Sequence, residues 1–320
     1  MSALQLNAKP FGGGGIRPFL QKYGLLIAFL ALCGGLTLST DRFLTGENLL
    51  NVLRQASING VIAVGMMLVI LTRGIDLSVG SVLALSTVIA ASALKANLPM
   101  PLAVLLCLII GGGLGLINGL LVNKLSIPPF IATLGMMTTA RGMALSFTQG
   151  QPITGFGDDF RSFGAGTIAG IPSPIFIAGG IFLLGYILLE HTPFGRQIFA
   201  YGDNARAAFM SGLSPQRVLL FVYITAGVLA ALAGIILTGR LNSATPTAGE
   251  SYEFDAIAAV VVGGTSFDGG EGTLWGTLLG VLLIAVLNNG LNLLNVPSEF
   301  QTVIKGGVIA LALLFYKAIR

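Results

Sequence analysis

Between Leu102 and Val122 the chain carries no charged side chain, and stretches of the same kind recur along its length. A helix of about 20 apolar residues is long enough to cross a hydrocarbon layer. In lipid every backbone amide and carbonyl must be satisfied within the protein, so such stretches fold as helices. Ten segments read this way: Tyr23–Leu38, Gln55–Leu71, Ser78–Leu94, Leu102–Val122, Phe130–Phe147, Pro174–Leu189, Val218–Leu237, Ala256–Val262, Leu274–Leu294 and Thr302–Tyr316. The eighth is short and runs directly into Gly263–Gly272, which predicts a tilted or broken helix. Breaks of that kind are tolerated only where they are buried or line a cavity. The charged fraction is 9%, far below the roughly 25% of soluble domains. Forty-five glycines without a Gly-X-Y period suit close helix packing. The fold class that follows is an all-α polytopic membrane protein with about ten transmembrane helices.

Charge orients these segments. Residues 1–22 are polar and basic and read as a cytoplasmic tail ahead of a transmembrane unit over 23–320; no cleavable signal peptide is expected. With both termini inside, the internal cations are Lys9, Arg17, Lys22, Arg73, Lys124, Arg196, Arg206, Arg217, Lys317 and Arg320. The external ones are Arg42, Arg54, Lys95, Arg161 and Arg240, with Arg141 and Lys305 left within spans. Ten against five is the sense of the positive-inside rule. The net charge of +4 is spread along the chain, with no basic run carrying interleaved aromatics, so a membrane and not a nucleic acid is the expected partner.

The polar joints carry what chemistry there is. Thr72–Ser81, between the second and third spans, holds Arg73, Asp76, Ser78 and two glycines. Asp76 and Ser78 suit capping of the following helix, and Gly74 and Gly80 suit a sharp turn or a close helix contact. The same groups suit a wall or gate beside a transport path, since ionisable groups at such positions often line one. Asn118, inside the fourth span, suits an interhelical hydrogen bond. Arg141 should face protein or water. Residues 148–173 read as an external loop with little regular structure. Residues 190–217 form a second polar stretch, in which Asn204–Gly212 has the pattern of a short amphipathic helix. A weak repeat links the run before Asp76 with the run before Asp268, as duplicated transporter halves would.

Catalytic chemistry is not encoded. His191 has no Cys or His partner at metal spacing, and no phosphate loop, nucleophile elbow or zinc-protease motif occurs. Cys33 and Cys107 lie in apolar runs and read as small buried hydrophobes, not as a disulfide. Active transport must then draw on a coupled ion or on another subunit. An ion-coupled carrier needs ionisable groups at the bilayer midplane, whereas Asp76, Asp255 and Asp268 look interfacial. A separate ATPase needs an internal protrusion to push, and 190–217 supplies one. A membrane scaffold without a path is a third option, against which the polar joints speak.

Six blocks carry a resemblance: Ala63–Leu71, Gly74–Ser81, Pro129–Met137, Thr192–Gly202, Asp255–Ser266 and Leu287–Leu294. Across about Phe43 to Leu314 the chain resembles the membrane permease of the ribose-type family of bacterial carbohydrate ATP-binding-cassette (ABC) importers. The resemblance implies a vitamin-B12-importer-like (type II) permease fold in the bacterial inner membrane. It implies a second permease copy, two ATPase subunits that bind the ATP and Mg, and a periplasmic sugar-binding protein. No cofactor is implied for this chain, which would not itself be an enzyme. The resemblance places a coupling helix at about Asp203–Gly212, with Gly195, Arg196, Gly202, Asn204, Arg206, Ala207 and Gly212 as ATPase-coupling residues. Relatives often carry Glu-Ala-Ala there, and this chain has Ala205-Arg206-Ala207. The expected function is import of a monosaccharide by alternating access, with Asp76, Ser78 and Asn118 at the path or gate. Ribose, xylose, allose and a furanose-like signal all fit; an ion-coupled secondary sugar transporter is the alternative.

Overall fold

The computed structural model describes the backbone of residues 16–319 and the side chains of residues 23–308 and 310. Residues 1–15 of the expected tail lie outside the described residues, as do the side chains of Arg17, Lys22, Lys317 and Arg320. The first half contains α1 (Ile16–Ser39), α2 (Gly46–Leu71), α3 (Val79–Lys95), α4 (Met100–Asn123) and α5 (Pro129–Thr148). A folded connection follows, with β1 (Ile153–Thr154), α6 (Asp158–Ala165), β2 (Thr167–Ile168) and β3 (Ile171–Pro172). Then come α7 (Ser173–His191), α8 (Pro193–Asp203), α9 (Ala205–Met210) and α10 (Pro215–Leu241). The chain closes with β4 (Ser243–Ala244), α11 (Tyr252–Val262), α12 (Leu274–Leu293) and α13 (Ser298–Ile319).

Among the described residues α2, α4, α7, α10 and α12 are long and apolar enough to cross a membrane, and Tyr23–Ser39 and Val79–Lys95 are shorter apolar helices. The protein is a multi-pass, mainly helical membrane protein. Helix starts follow local chemistry. α4, α5, α7, α8 and α10 each carry proline in the first turn, where a missing amide costs no hydrogen bond.

α10 is the centre of the bundle and packs on α4, α2 and α3. Small residues permit the closest of these contacts. A Cβ on Gly111 or Gly115 of α4 would collide with the carbonyls of Gly227 or Tyr223 on α10, and a Cβ on Gly227 with that of Gly111. Backbones this close gain dispersion contacts that larger side chains would prevent. A Cβ on Gly113, on the other side of α4, would meet nothing within 4 Å among the described residues.

Residues 148–173 depart from the expected loose loop. β1 pairs antiparallel with β4, β2 pairs with β3, and α6 lies against α10, with Gly164 touching Ile236 and Arg240. The Gly and Pro residues that read as loop signals here serve tight turns and that contact. The side chain of Lys95 closes the same end of the bundle by donating to the Gly155 carbonyl at 2.6 Å.

The weak eighth span is a half-helix, as its length predicts. α11 has 11 residues, about 16 Å at 1.5 Å per residue, or half of a hydrocarbon layer of about 30 Å. Its C-terminal side leads to Gly270, whose amide donates to the Leu71 carbonyl at the joint end of the bundle. Its N-terminus therefore lies about halfway through, where Gly249 packs on Gly80 near the start of α3. The chain reaches that depth from the far end through β4 and a run of turns over residues 246–251. Arg141 satisfies part of it, donating to the carbonyls of Pro246 at 2.6 Å and Ala248 at 2.9 Å. The charge inside α5 thus answers the demand that irregular backbone at membrane depth be paired.

One sequence expectation is overturned here. Asp255 is not interfacial: it lies in the first turn of α11, 5% exposed, and pairs with Lys305 of α13 at 3.1 Å. Asn288 of α12 donates to the same oxygen at 3.2 Å. The chain enters α11 from mid-depth, which places an acid that looks terminal in sequence inside the bundle.

Candidate functional site

The joint between α2 and α3 turns at Arg73, which has a φ of 62°. The glycines serve proximity instead: Gly74 lies beside the Tyr223 hydroxyl and Val69, and Gly80 beside Gly249. Asp76 behaves as its sequence position predicts. Its Oδ1 accepts from the Ser78 amide at 2.8 Å and from the Ser78 hydroxyl at 2.6 Å. Ser78 does not cap α3 with its side chain, because its hydroxyl is committed to Asp76. The Ser78 oxygen accepts in turn from Asn118 Nδ2 of α4 at 2.9 Å. The three residues singled out from sequence therefore form one hydrogen-bonded chain, each 2% exposed or less.

Thr133 of α5 adds a second tie. Its hydroxyl accepts from the Leu77 amide at 3.1 Å and donates to the Ile75 carbonyl at 3.0 Å. The joint is thereby fixed to α4 and α5 by side chains that all face inward. The Asp76–Ser78–Asn118 chain is a buried network that ties the joint to α4 within the protomer.

The polar stretch after α7 folds as two short helices. Thr192 caps α8, its oxygen accepting from the Gly195 amide at 3.0 Å. A Cβ on Gly195 would collide with the carbonyls of Leu188 and Leu189, so glycine permits the sharp bend from α7. Asn204 caps α9 by accepting from the Ala207 amide at 2.9 Å. Gly212 follows with a φ of 83°, a left-handed turn that suits glycine. Arg196, Arg206 and Ala207 are exposed. So are Phe209 at 63% and Met210 at 79%, an apolar pair on a helix too short to span.

Joint and short helices meet in a knot of three segments. Arg73 Nε donates to the Gly202 carbonyl at 2.6 Å, and its Nη2 donates to the Asp203 carbonyl at 2.5 Å. Gly202 is packed so tightly that a Cβ would collide with the Leu71 carbonyl and the Gly270 amide. Gly269 and Gly270, both at positive φ, complete the contact from the α11–α12 connection. Burial pushes the Tyr201 phenol above its usual range, against the opposing pull of the Arg73 cation. The two runs that look like a weak repeat, before Asp76 and before Asp268, are neighbours in space.

Arg73, Gly270 and Thr133 were not among the site residues inferred from sequence, and the stretch that holds Gly195, Arg196 and Gly202 was not read as the helix α8. The Thr192-Pro193 start was a legible signal for α8. The partners of Arg73 are backbone carbonyls, for which no sequence signal exists.

A family model described as branched-chain amino acid transport system / permease component matches residues 48–313. The chain is 52% identical over 297 residues to the ribose import permease protein RbsC of Bacillus subtilis (strain 168), covering 92% of each chain. It is 47% identical over 302 residues to the ribose import permease protein RbsC of Escherichia coli (strain K12), covering 93% of this chain and 94% of that one. It is 40% identical over 298 residues to the D-allose transport system permease protein AlsC of the same strain, covering 92% and 91%. No solved structure matches. A match over most of the chain, with relatives aligned almost end to end, means that the protein belongs to this family of transport-system permease components.

Proposed function

We propose that the chain is the membrane permease subunit of an ATP-driven ABC importer that moves a monosaccharide, ribose or a similar sugar, across the bacterial inner membrane. The family description names amino acid transport, but the relatives quoted above are named for ribose and D-allose. A neutral sugar also suits a chain with so few free charges. In this reading the sugar comes from a periplasmic binding protein, and ATP and Mg are held by two separate ATPase subunits. A second permease copy completes the path. The small and polar residues Gly135, Thr138, Thr139 and Gly142, unburied on α5, suit a close contact with it.

Counting α1 to α5, α7, α10, α11 with its non-helical entry, α12 and α13 gives ten crossings, a number that suits the type II permease arrangement. Both termini and the joint end then face the cytoplasm, in line with the charge bias. The observation that carries the reading is the knot at Arg73. α9, with Phe209 and Met210 exposed, is the surface on which the ATPase docks. Gly195, Arg196, Gly202, Asn204, Arg206, Ala207 and Gly212 shape and present it. When the ATPase pair closes, α9 moves, and Arg73 passes that motion from Gly202 and Asp203 to the joint. Asp76, Ser78 and Asn118 act there as the latch of the gate.

Arg73→Ala removes both bonds to the α8 end. It is expected to leave ATPase association intact and to cut sugar uptake about tenfold or more, since hydrogen bonds from a charged group are worth about 1.5–3 kcal/mol each. Co-purification of the ATPase together with initial uptake rates checks this. Unaltered uptake would remove Arg73 from the route.

Asp255 and Lys305 put ionisable groups at mid-depth, so scarcity of such groups no longer argues against an ion-coupled carrier. Kinship with import permeases argues against it instead. The decisive experiment is reconstitution in vesicles. Uptake is expected only with ATPase, ATP and binding protein all present. Uptake by this chain alone that collapses with an ionophore would establish the carrier.

A further inference from the structure

A cavity of about 380 Å³ lies at the joint end, between the joint, the α4–α5 link and the segment from α8 to α10. Its walls include Arg73, Asn123, Ser126, Tyr201, Ala205 and Tyr223. Its size falls in the range of small-molecule sites. Tyr223 is 0% exposed, and its hydroxyl has no hydrogen-bond partner among the described residues. Tyr223 and Gly74 both line the cavity, and the hydroxyl lies beside Gly74, 2.7 Å from where a Cβ there would stand. Asn123 Nδ2 is likewise buried and unpartnered. Buried polar groups left unpaired are costly, and a ligand that pairs them recovers that cost.

The chemistry of the walls narrows the ligand. Arg73 is the one cation among them, and it already donates to two carbonyls. The remaining polar groups are neutral: two phenols, the Ser126 and Thr72 hydroxyls and the Asn123 amide. They alternate with proline, leucine and tyrosine surfaces that suit the C–H faces of a sugar ring. Ser126 and Pro128 are exposed and leave the cavity open towards the joint-end solvent.

We infer that this cavity is an inward-facing site for a neutral polyol of monosaccharide size, and that the released cargo occupies it. The inference rests on the transport reading above. The walls belong to the segments that must shift against one another when α9 moves. A sugar bridging them holds the joint, the link and α8 in one arrangement, so accumulated cargo slows the next cycle from the inside.

The test uses the assembled transporter in vesicles, with ATPase and ATP inside and binding protein with labelled ribose outside. Vesicles are preloaded with unlabelled ribose, with glycerol at the same concentration, or with neither. Internal ribose is expected to slow initial uptake by the wild type, and glycerol is not. Tyr223→Phe removes only the hydroxyl. It should raise the internal ribose needed for half-inhibition about tenfold, the worth of one hydrogen bond, with uptake into empty vesicles unchanged. Insensitivity of the wild type to internal ribose, equal sensitivity of Tyr223→Phe, or equal inhibition by glycerol would each overturn the site. No uptake into empty wild-type vesicles would instead count against the transport reading. Binding of labelled ribose to the purified permease in nanodiscs then decides the site on its own: weakening by Tyr223→Phe supports it, and unchanged or absent binding overturns it.

Discussion

Phe209→Glu is expected to abolish ATP-driven uptake while leaving the permease folded. Phe209 is 63% exposed and Met210 79% exposed, on a helix of six residues that follows the end of α8. An apolar pair this exposed adds little packing within the chain, so replacing one member costs the fold little. Buried in an interface, an aromatic anchor of this kind is worth about 2–4 kcal/mol, or a loss of roughly thirtyfold to a thousandfold in affinity. A carboxylate placed in an apolar groove adds a desolvation cost to that loss. The variant should elute as a single peak with an unchanged melting temperature and should fail to retain the ATPase on a column. An ATPase complex as stable as the wild type would show that α9 is not the docking element. Labelling of Arg206→Cys from the outer face of intact cells would count equally against it.

The second large effect concerns the centre of the bundle. Gly227→Val is expected to prevent accumulation of folded protein. A side chain at 227 has no room, because the Gly111 carbonyl of α4 occupies the position of its first carbon. The obstacle is backbone, which cannot rotate aside, so α4 and α10 must separate along their length. Overpacking usually costs about 1–3 kcal/mol. Here the cost is compounded, because separation also strips the Gly115–Tyr223 contact and strains the neighbouring Asn118–Ser78 bond. Gly113→Val is the control, since a Cβ there would meet nothing within 4 Å among the described residues. Size-exclusion profiles of detergent-solubilised protein separate the two. Equal yields of both variants would mean that the α4–α10 contact is looser than described.

Much of the scaffold was legible because it follows from local chemistry. An uninterrupted apolar run forces a helix wherever it meets lipid, and a proline in the first turn marks where the helix begins. The short amphipathic pattern after Asp203 appears as α9 with its Asn204 cap. Asp76, Ser78 and Asn118 could be singled out because polar groups are conspicuous among apolar neighbours, and the structure joins them in one chain. The weak eighth segment was readable as a break because the apolar run Ala256–Val262 is too short to cross a bilayer and leads straight into Gly263–Gly272.

What the sequence by itself determined, then, is where the chain enters lipid, where it breaks and which polar groups stand out. Only the tertiary structure decided what those groups touch. Arg73 reaches the carbonyls of Gly202 and Asp203, and Arg141 those of Pro246 and Ala248. Gly270 bonds to the Leu71 carbonyl, and Asp255 finds Lys305 only because α11 starts at mid-depth. The physical reason is that most of these acceptors are backbone carbonyls, which every residue carries alike. Their identity leaves no mark in the order of side chains, and it becomes defined only when distant segments are brought together.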